Sequence, residues 1–193
     1  QDAVEPPEAA AKPGEDGDDR GYTKDADGLL VPDGEDLTLI GDSLVVTSAD
    51  GVGFRFPGAT FVAQSNRQWK EAESVLQDAL DQDLVRDNVV IHMGTNAGVD
   101  EKSLRGFLDT LGPDRQIVVM DLYLRSSFTQ DSNETIAEVA ADYPNVVVGR
   151  WNAAAGKNTQ SLQADGIHPD IEGMHVYAEV VAQSFDALAK SQK

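Results

Sequence analysis

The chain has 193 residues, of which 40% are apolar and none is cysteine, and it carries a net charge of −19. That length allows one ordinary domain plus a tail, and the charge repels phosphate backbones and anionic lipid surfaces, which argues against nucleic acid as a partner. Disulfides, thiolate metal sites and thiol nucleophiles are excluded, and no apolar run reaches the length of a membrane span.

No signal peptide is visible, and a chain that begins at Gln1 rather than Met reads as an excised or processed part of something longer. Residues 1–36 hold 12 Asp/Glu against 3 Lys/Arg among Gly, Pro and Ala, with almost no large apolar residue before Leu29. Such a stretch buries too little to offset its ordering entropy, which predicts a flexible acidic tether. Leu29-Leu30-Val31 is a short piece able to dock on the domain.

From Leu37 onward strands and helices alternate. Leu37–Ile40 is a first strand, followed by a helix from Ser43 that closes by Gly51 and Gly53. Ala59–Ala63 is a second strand. Ser65–Asp83 is a helix with Trp69, Ala72, Leu76, Ala79 and Leu80 on one face. Asn88–Met93 is a continuous apolar run, as expected of a strand buried on both faces. Lys102–Leu111 is a helix stopped by Gly112-Pro113, and Gln116–Asp121 a fourth strand. Ser132–Asp142 is a helix, Asn145–Val148 a fifth strand, and Arg150–Ala164 an irregular loop. The last helix runs from Ile171 to Ala189 with Met174, Tyr177, Val181, Phe185 and Leu188 as its stripe. The alternation predicts a five-stranded parallel sheet with helices on both faces in a single domain, residues 37–193.

In such a sheet the carboxyl ends of the strands share one edge, where ligands bind. Three blocks meet there: Gly41-Asp42-Ser43 after the first strand, Gly94-Thr95-Asn96 after the third, and Asp165-Gly166-Ile167-His168-Pro169 before the last helix. A serine hydroxyl becomes a nucleophile when an imidazole takes its proton, and the imidazole needs a carboxylate to hold its tautomer. Ser43, His168 and Asp165 supply those groups, and the Ser43 N–H and Asn96 amide are candidate donors to an oxyanion. Each residue taken alone has a plainer reading. Ser43 suits a helix N-cap, His168 a surface or capping position, Asp165 a loop and Asn96 a turn. His92 and His175 read as structural. The three histidines have no ligand spacing, and Gly51-Val52-Gly53 is not a dinucleotide fingerprint, so neither a metal nor a cofactor is called for.

Gly41-Asp42-Ser43-Leu44, Gly94-Thr95-Asn96 and Asp165-Gly166-Ile167-His168-Pro169, in that order, resemble the GDSL/SGNH hydrolase superfamily, over roughly Leu37 to the C-terminus. The resemblance implies a flavodoxin-like three-layer α/β/α sandwich. It also implies Ser43 as nucleophile, His168 as general base, Asp165 as its orienting partner, and Asn96 as oxyanion-hole donor. One block departs from the superfamily. Where a glycine N–H normally completes the oxyanion hole, residues 63–69 read Ala-Gln-Ser-Asn-Arg-Gln-Trp, leaving Ser65 or Asn66 as donor without a choice between them.

This departure, with Arg67-Gln68-Trp69, Tyr143-Pro144-Asn145-Val146 and Trp151, resembles the extracytoplasmic SGNH domains fused to acyltransferase-3 membrane domains, among them peptidoglycan O-acetyltransferases. That likeness implies a serine-dependent O-acyltransferase of the bacterial cell envelope, transferring acetyl through an acyl-enzyme on Ser43. The donor would arrive from a membrane domain N-terminal to this chain, and the acceptor would be a glycan or glycolipid. Arg67 and Trp151 are candidate substrate-binding residues, and Trp69, Arg125 and Arg150 also suit an acceptor site, with packing or surface charge an equal reading. The alternatives are a carbohydrate or lipid acyl esterase with the same three residues, a non-catalytic binding module, and a nucleotide-binding domain. The acidic charge and the absence of a phosphate-cradling loop disfavour the last.

Overall fold

The computed structural model describes residues 20–192. Its elements in chain order are β1 (Thr23–Lys24), β2 (Leu30–Val31), β3 (Leu37–Gly41), α1 (Ser43–Arg55), β4 (Thr60–Ala63), α2 (Ala72–Asp81), β5 (Asn88–His92), α3 (Glu101–Leu111), β6 (Gln116–Met120), α4 (Thr129–Ala141), β7 (Val146–Gly149), α5 (Trp151–Lys157) and α6 (Ile171–Ser191). Strands β3 to β7 form one parallel sheet in the order β4-β3-β5-β6-β7, and β1 pairs antiparallel with β2. This is the flavodoxin-like order, and the fold is the expected three-layer sandwich.

The central strands are apolar because both faces are covered. Leu39, Val90, Val118 and Met120 face the layer built from α1, α5 and α6. Ile40, Val89, Ile91, Ile117 and Val119 face the layer built from α2, α3 and α4. The chain leaves β3 for β4 on one side and continues through β5, β6 and β7 on the other. The crevice at this reversal therefore opens at the carboxyl ends of β3 and β5.

Four expectations change. Residues 1–19 of the predicted tether lie outside the described residues, but its remainder is folded onto the domain. Tyr22, Leu30 and Val31 are buried in the α1/α6 layer, the Tyr22 hydroxyl donates to Asn88, and the Leu30 N–H donates to Asp186. Residues this sparse in apolar side chains stay ordered because a large neighbouring core receives the few they have. Helix α1 does not stop at Gly51 or Gly53 but continues to Arg55, which pairs with Asp25 of the N-terminal strap and with Glu179 of α6. The helix predicted over Ser65–Asp83 is shorter. A 3-10 turn at Trp69–Glu71 leads into α2, and the preceding residues form a loop with Asn66 at φ 66°, a left-handed geometry that Asn tolerates. Finally, the predicted loop Arg150–Ala164 contains α5 and a 3-10 turn at Thr159–Ser161, because Trp151 and Ala155 reach the core one helical turn apart.

Candidate active site

Asp42 and Ser43 open α1. The Asp42 carboxylate is fully buried and accepts the N–H of Leu44 at 3.0 Å and of Thr95 at 3.3 Å, while its own N–H donates to the His92 carbonyl at 3.0 Å. The turn that carries Ser43 is thereby tied to β5 and to the loop after it. The helix N-cap role read as the plainer alternative for Ser43 belongs to Asp42.

Ser43 Oγ lies 2.8 Å from His168 Nε2, and His168 Nδ1 lies 2.6 Å from Asp165 Oδ2. These groups are distant in sequence but adjacent here because α1 and α6 pack side by side and both begin at the crevice. The other Asp165 oxygen accepts the N–H of Ile167 at 2.9 Å and of His168 at 3.0 Å, with Gly166 at φ 68° making the tight turn. Partial desolvation pushes the Asp165 pKa up, but the hydrogen bonds from the His168 ring and the two N–H groups outweigh it. The net shift is downward and keeps the carboxylate ionised. A proton acceptor beside a hydroxyl, held by a carboxylate, has the geometry needed to activate that hydroxyl.

Asn96 stands at the exposed lip of the crevice, where one of its two amide N–H bonds goes to the Arg67 carbonyl at 3.0 Å. Its second N–H has no partner among the described residues. Arg67 donates from Nη1 to the carbonyls of Val62 at 2.9 Å and Gly41 at 3.3 Å, and desolvation lowers its pKa despite nearby Glu71 and Asp42. Its guanidinium thus braces the loop after β4 against the strand that leads to Ser43. Among the described residues, the backbone N–H groups of Ser65 and Asn66 in this loop make no hydrogen bond.

Trp151 does not line the crevice. It is 1% exposed, with its ring 5.2 Å from that of Tyr177, so it serves the core. Trp69 is likewise buried, against Phe107. Arg125 and Arg150 are exposed at the same edge of the sheet. His92 is a core residue as read, its Nδ1 2.9 Å from the Tyr177 hydroxyl and its ring stacked on the same side chain. Burial lowers its pKa to about 4 against the opposing pull of Asp42, so it is neutral beneath Ser43. His175 packs edge-on against Phe54.

Among the described residues no group of three or more His, Asp or Glu side chains is placed to hold a metal ion. The periodicity does not single out Asp121, which caps α5 by accepting the Asn152 N–H at 2.6 Å. Burial pushes its pKa up to about 6, against the Asn152 hydrogen bond and the Arg150 charge. Its one legible signal is its position, a carboxylate immediately after β6 on the edge that carries Ser43.

No protein-family model matches the chain. It is 25% identical over 142 residues to the peptidoglycan O-acetyltransferase OatA of Listeria monocytogenes, a match that covers 74% of this chain and 22% of that protein. The chain therefore spans less than a quarter of that relative's length. Its fold is similar to the C-terminal catalytic domain of peptidoglycan O-acetyltransferase A from Streptococcus pneumoniae, at TM-score 0.67 and 19% identity, covering 83% of this chain and 94% of that one. It is also similar to a lipolytic protein of the G-D-S-L family from Veillonella parvula, at TM-score 0.61 and 14% identity, covering 77% and 97%. The three-layer sandwich is thus the fold of SGNH hydrolases.

Proposed function

We propose that the protein is a serine-dependent O-acyltransferase, moving an acetyl group onto a hydroxyl of a cell-envelope glycan or glycolipid through an acyl-enzyme on Ser43. The observation that carries this reading is the run of contacts from Ser43 Oγ to His168 Nε2 at 2.8 Å and from His168 Nδ1 to Asp165 at 2.6 Å. Similarity to OatA, a peptidoglycan O-acetyltransferase, supports an enzyme of acyl transfer or ester cleavage.

In this reading Ser43 Oγ attacks the acyl carbonyl as His168 Nε2 takes its proton. The Ser43 N–H and Asn96 Nδ2 stabilise the tetrahedral oxyanion, and an N–H of Ser65 or Asn66 completes the hole. His168 then protonates the leaving oxygen and the acyl-enzyme remains. An acceptor hydroxyl, deprotonated by His168, attacks the acyl carbon. The new ester departs, and Ser43 recovers the proton. Asp165 keeps Nδ1 of His168 protonated and stabilises the imidazolium. The acyl donor reaches Ser43 from a membrane domain of acyltransferase-3 type, outside the cytoplasm. The short span of the OatA match supports a further domain in the full protein. No helix among the described residues is long and apolar enough to cross a membrane.

A second reading, ester hydrolysis, is favoured by the openness of the site, since the His168 and Asp165 side chains are 23% and 42% exposed and admit water to the acyl-enzyme. One assay separates the two. An activated acetyl ester is offered with and without soluble glycan acceptors, and acetate and acetylated glycan are both measured. Transfer predicts acetylated glycan, whereas both readings predict an adduct of about 42 daltons on Ser43, the mass of acetyl replacing hydrogen. Free acetate alone, whatever the acceptor, would establish hydrolysis instead. Ser43→Ala is expected to lower turnover at least ~10³-fold and Asp165→Asn roughly 10²- to 10⁴-fold. Undiminished turnover in Ser43→Ala would remove Ser43 as the nucleophile, and no turnover and no acyl adduct in the wild type would leave only a binding module.

A further inference from the structure

A second cleft lies on the edge of the sheet that carries Ser43. Its volume is about 670 Å³, it is open to solvent, and it lies between the segment after β6, the first turns of α4 and the start of α5. Leu124, Arg125, Thr129, Asn133, Glu134 and Asn152 line it. The sheet register places it relative to the nucleophile. Gly41 pairs with His92 and Met120 with Gly149, so the residues that follow (Asp42, Met93, Asp121 and Arg150) leave the sheet along one rim. Strands β3 and β6 are two places apart, about 10 Å. A disaccharide spans the spacing of those two strands.

Hydrogen bonds tie the walls of the cleft together. Asn133 holds both the N–H and the carbonyl of Leu122, at 2.7 and 2.9 Å, and Thr129 donates to the Leu124 carbonyl at 2.9 Å. Asp121 fixes the opposite wall through the Asn152 N–H at 2.6 Å. Glu134 is engaged by Gln130 at 3.0 Å. Arg125 is exposed and makes neither an ion pair nor a hydrogen bond among the described residues, although acidic side chains outnumber basic ones 34 to 15. The lining of the cleft is mostly apolar, which suits the face of a sugar ring, and the planar, unpaired guanidinium at its rim is suited to a carboxylate.

We propose that this cleft is an acceptor subsite that holds the sugar unit next to the one being acylated, with Arg125 pairing to a carboxylate on that sugar. The inference rests on the acyl-transfer reading of Ser43 and narrows its acceptor to a carboxylate-bearing glycan. Binding is measured on the otherwise intact Ser43→Ala chain, so that turnover plays no part. The probes are soluble peptidoglycan oligosaccharides with the lactyl carboxylate free and the same oligosaccharides methyl-esterified. The free acid is expected to bind more tightly than the ester, to shift amide resonances around Leu124 and Asn152, and to weaken roughly tenfold with Arg125→Glu, with Arg125→Lys restoring part of the loss. In the active chain, Arg125→Glu should raise KM for the free-acid acceptor more than for its methyl ester. Equal binding of acid and ester, or no effect of Arg125→Glu, overturns the proposal. Failure to form an acyl adduct on Ser43 overturns the acyl-transfer reading instead, and does so in a separate measurement.

Discussion

Asp42 and His92 set the conditions beneath Ser43 without contributing the reacting oxygen. The Asp42 carboxylate takes N–H groups from both sides of the crevice, so the turn that carries Ser43 cannot move independently of β5. His92 is buried, neutral and bonded to Tyr177. Its pKa falls from an ordinary 6.5 to about 4, so the native state resists a proton that the unfolded chain accepts. The stability this contributes is complete above 6.5 and is lost as pH falls through about 4. The full effect is on the order of 3 kcal/mol. Denaturant midpoints of the wild type and His92→Gln between pH 7.5 and 4, roughly the window of these two pKa values, should therefore converge on acidification. Parallel curves would mean that His92 is already protonated in the fold, or that the acid loss arises elsewhere.

At the scale of elements, the site depends on how closely α1 approaches α6, since Ser43 begins one helix and His168 precedes the other. Gly51 makes this approach possible. A Cβ added there would fall 2.4 Å from the Met174 carbonyl oxygen, whereas one at Gly53 would meet nothing within 4 Å. The two glycines, equivalent as helix breakers in the sequence, thus have opposite roles. Gly51→Ala should cost about 1–3 kcal/mol, lower Tm by several degrees and reduce kcat as the Ser43–His168 contact opens. Gly53→Ala should add about 0.5–1 kcal/mol, because it removes backbone freedom from an unobstructed helical position. Thermal melts of the pair decide this, and a stabilising Gly51→Ala would show that the helices can separate at no cost.

Across the whole molecule, the acidic N-terminal region is not uniform. Its described part forms a strap across one end of the α1/α6 layer, pinned by Tyr22 in the core, by Asp25 against Arg55 and by Leu30 against Asp186. Tyr22→Ala is expected to cost about 3–5 kcal/mol, as for the loss of any buried ring, and Tyr22→Phe about 1–3 kcal/mol through the unpaired Asn88 amide. Urea unfolding checks both, and a near-neutral Tyr22→Ala would return the strap to the status of a tether. Its single aromatic gave no periodic signal, so composition alone described it as solvated.

The order of strands and helices was legible because Asn88–Met93, which contains β5, is a continuous apolar run, and because Gly112-Pro113 and Pro144 punctuate the chain locally. The blocks around Ser43 and Asn96 were legible for a related reason: in a parallel sheet, every residue just past a strand lies on one edge, and the block around His168, just before the last helix, shares that edge because the helix starts there. Distances, burial and pairing were not legible, because they depend on which distant surfaces meet. Trp151 suited a sugar platform by type but lies in the core, because α5 turns it inward onto Tyr177. Arg67 suited a substrate anchor, and only the structure showed that its Nη1 is engaged by the carbonyls of Val62 and Gly41. Residue type and spacing determined which groups could meet at the crevice. The packing of α1 on α6 decided that Ser43 and His168 lie 2.8 Å apart, since contacts between segments 125 residues apart carry no local signature.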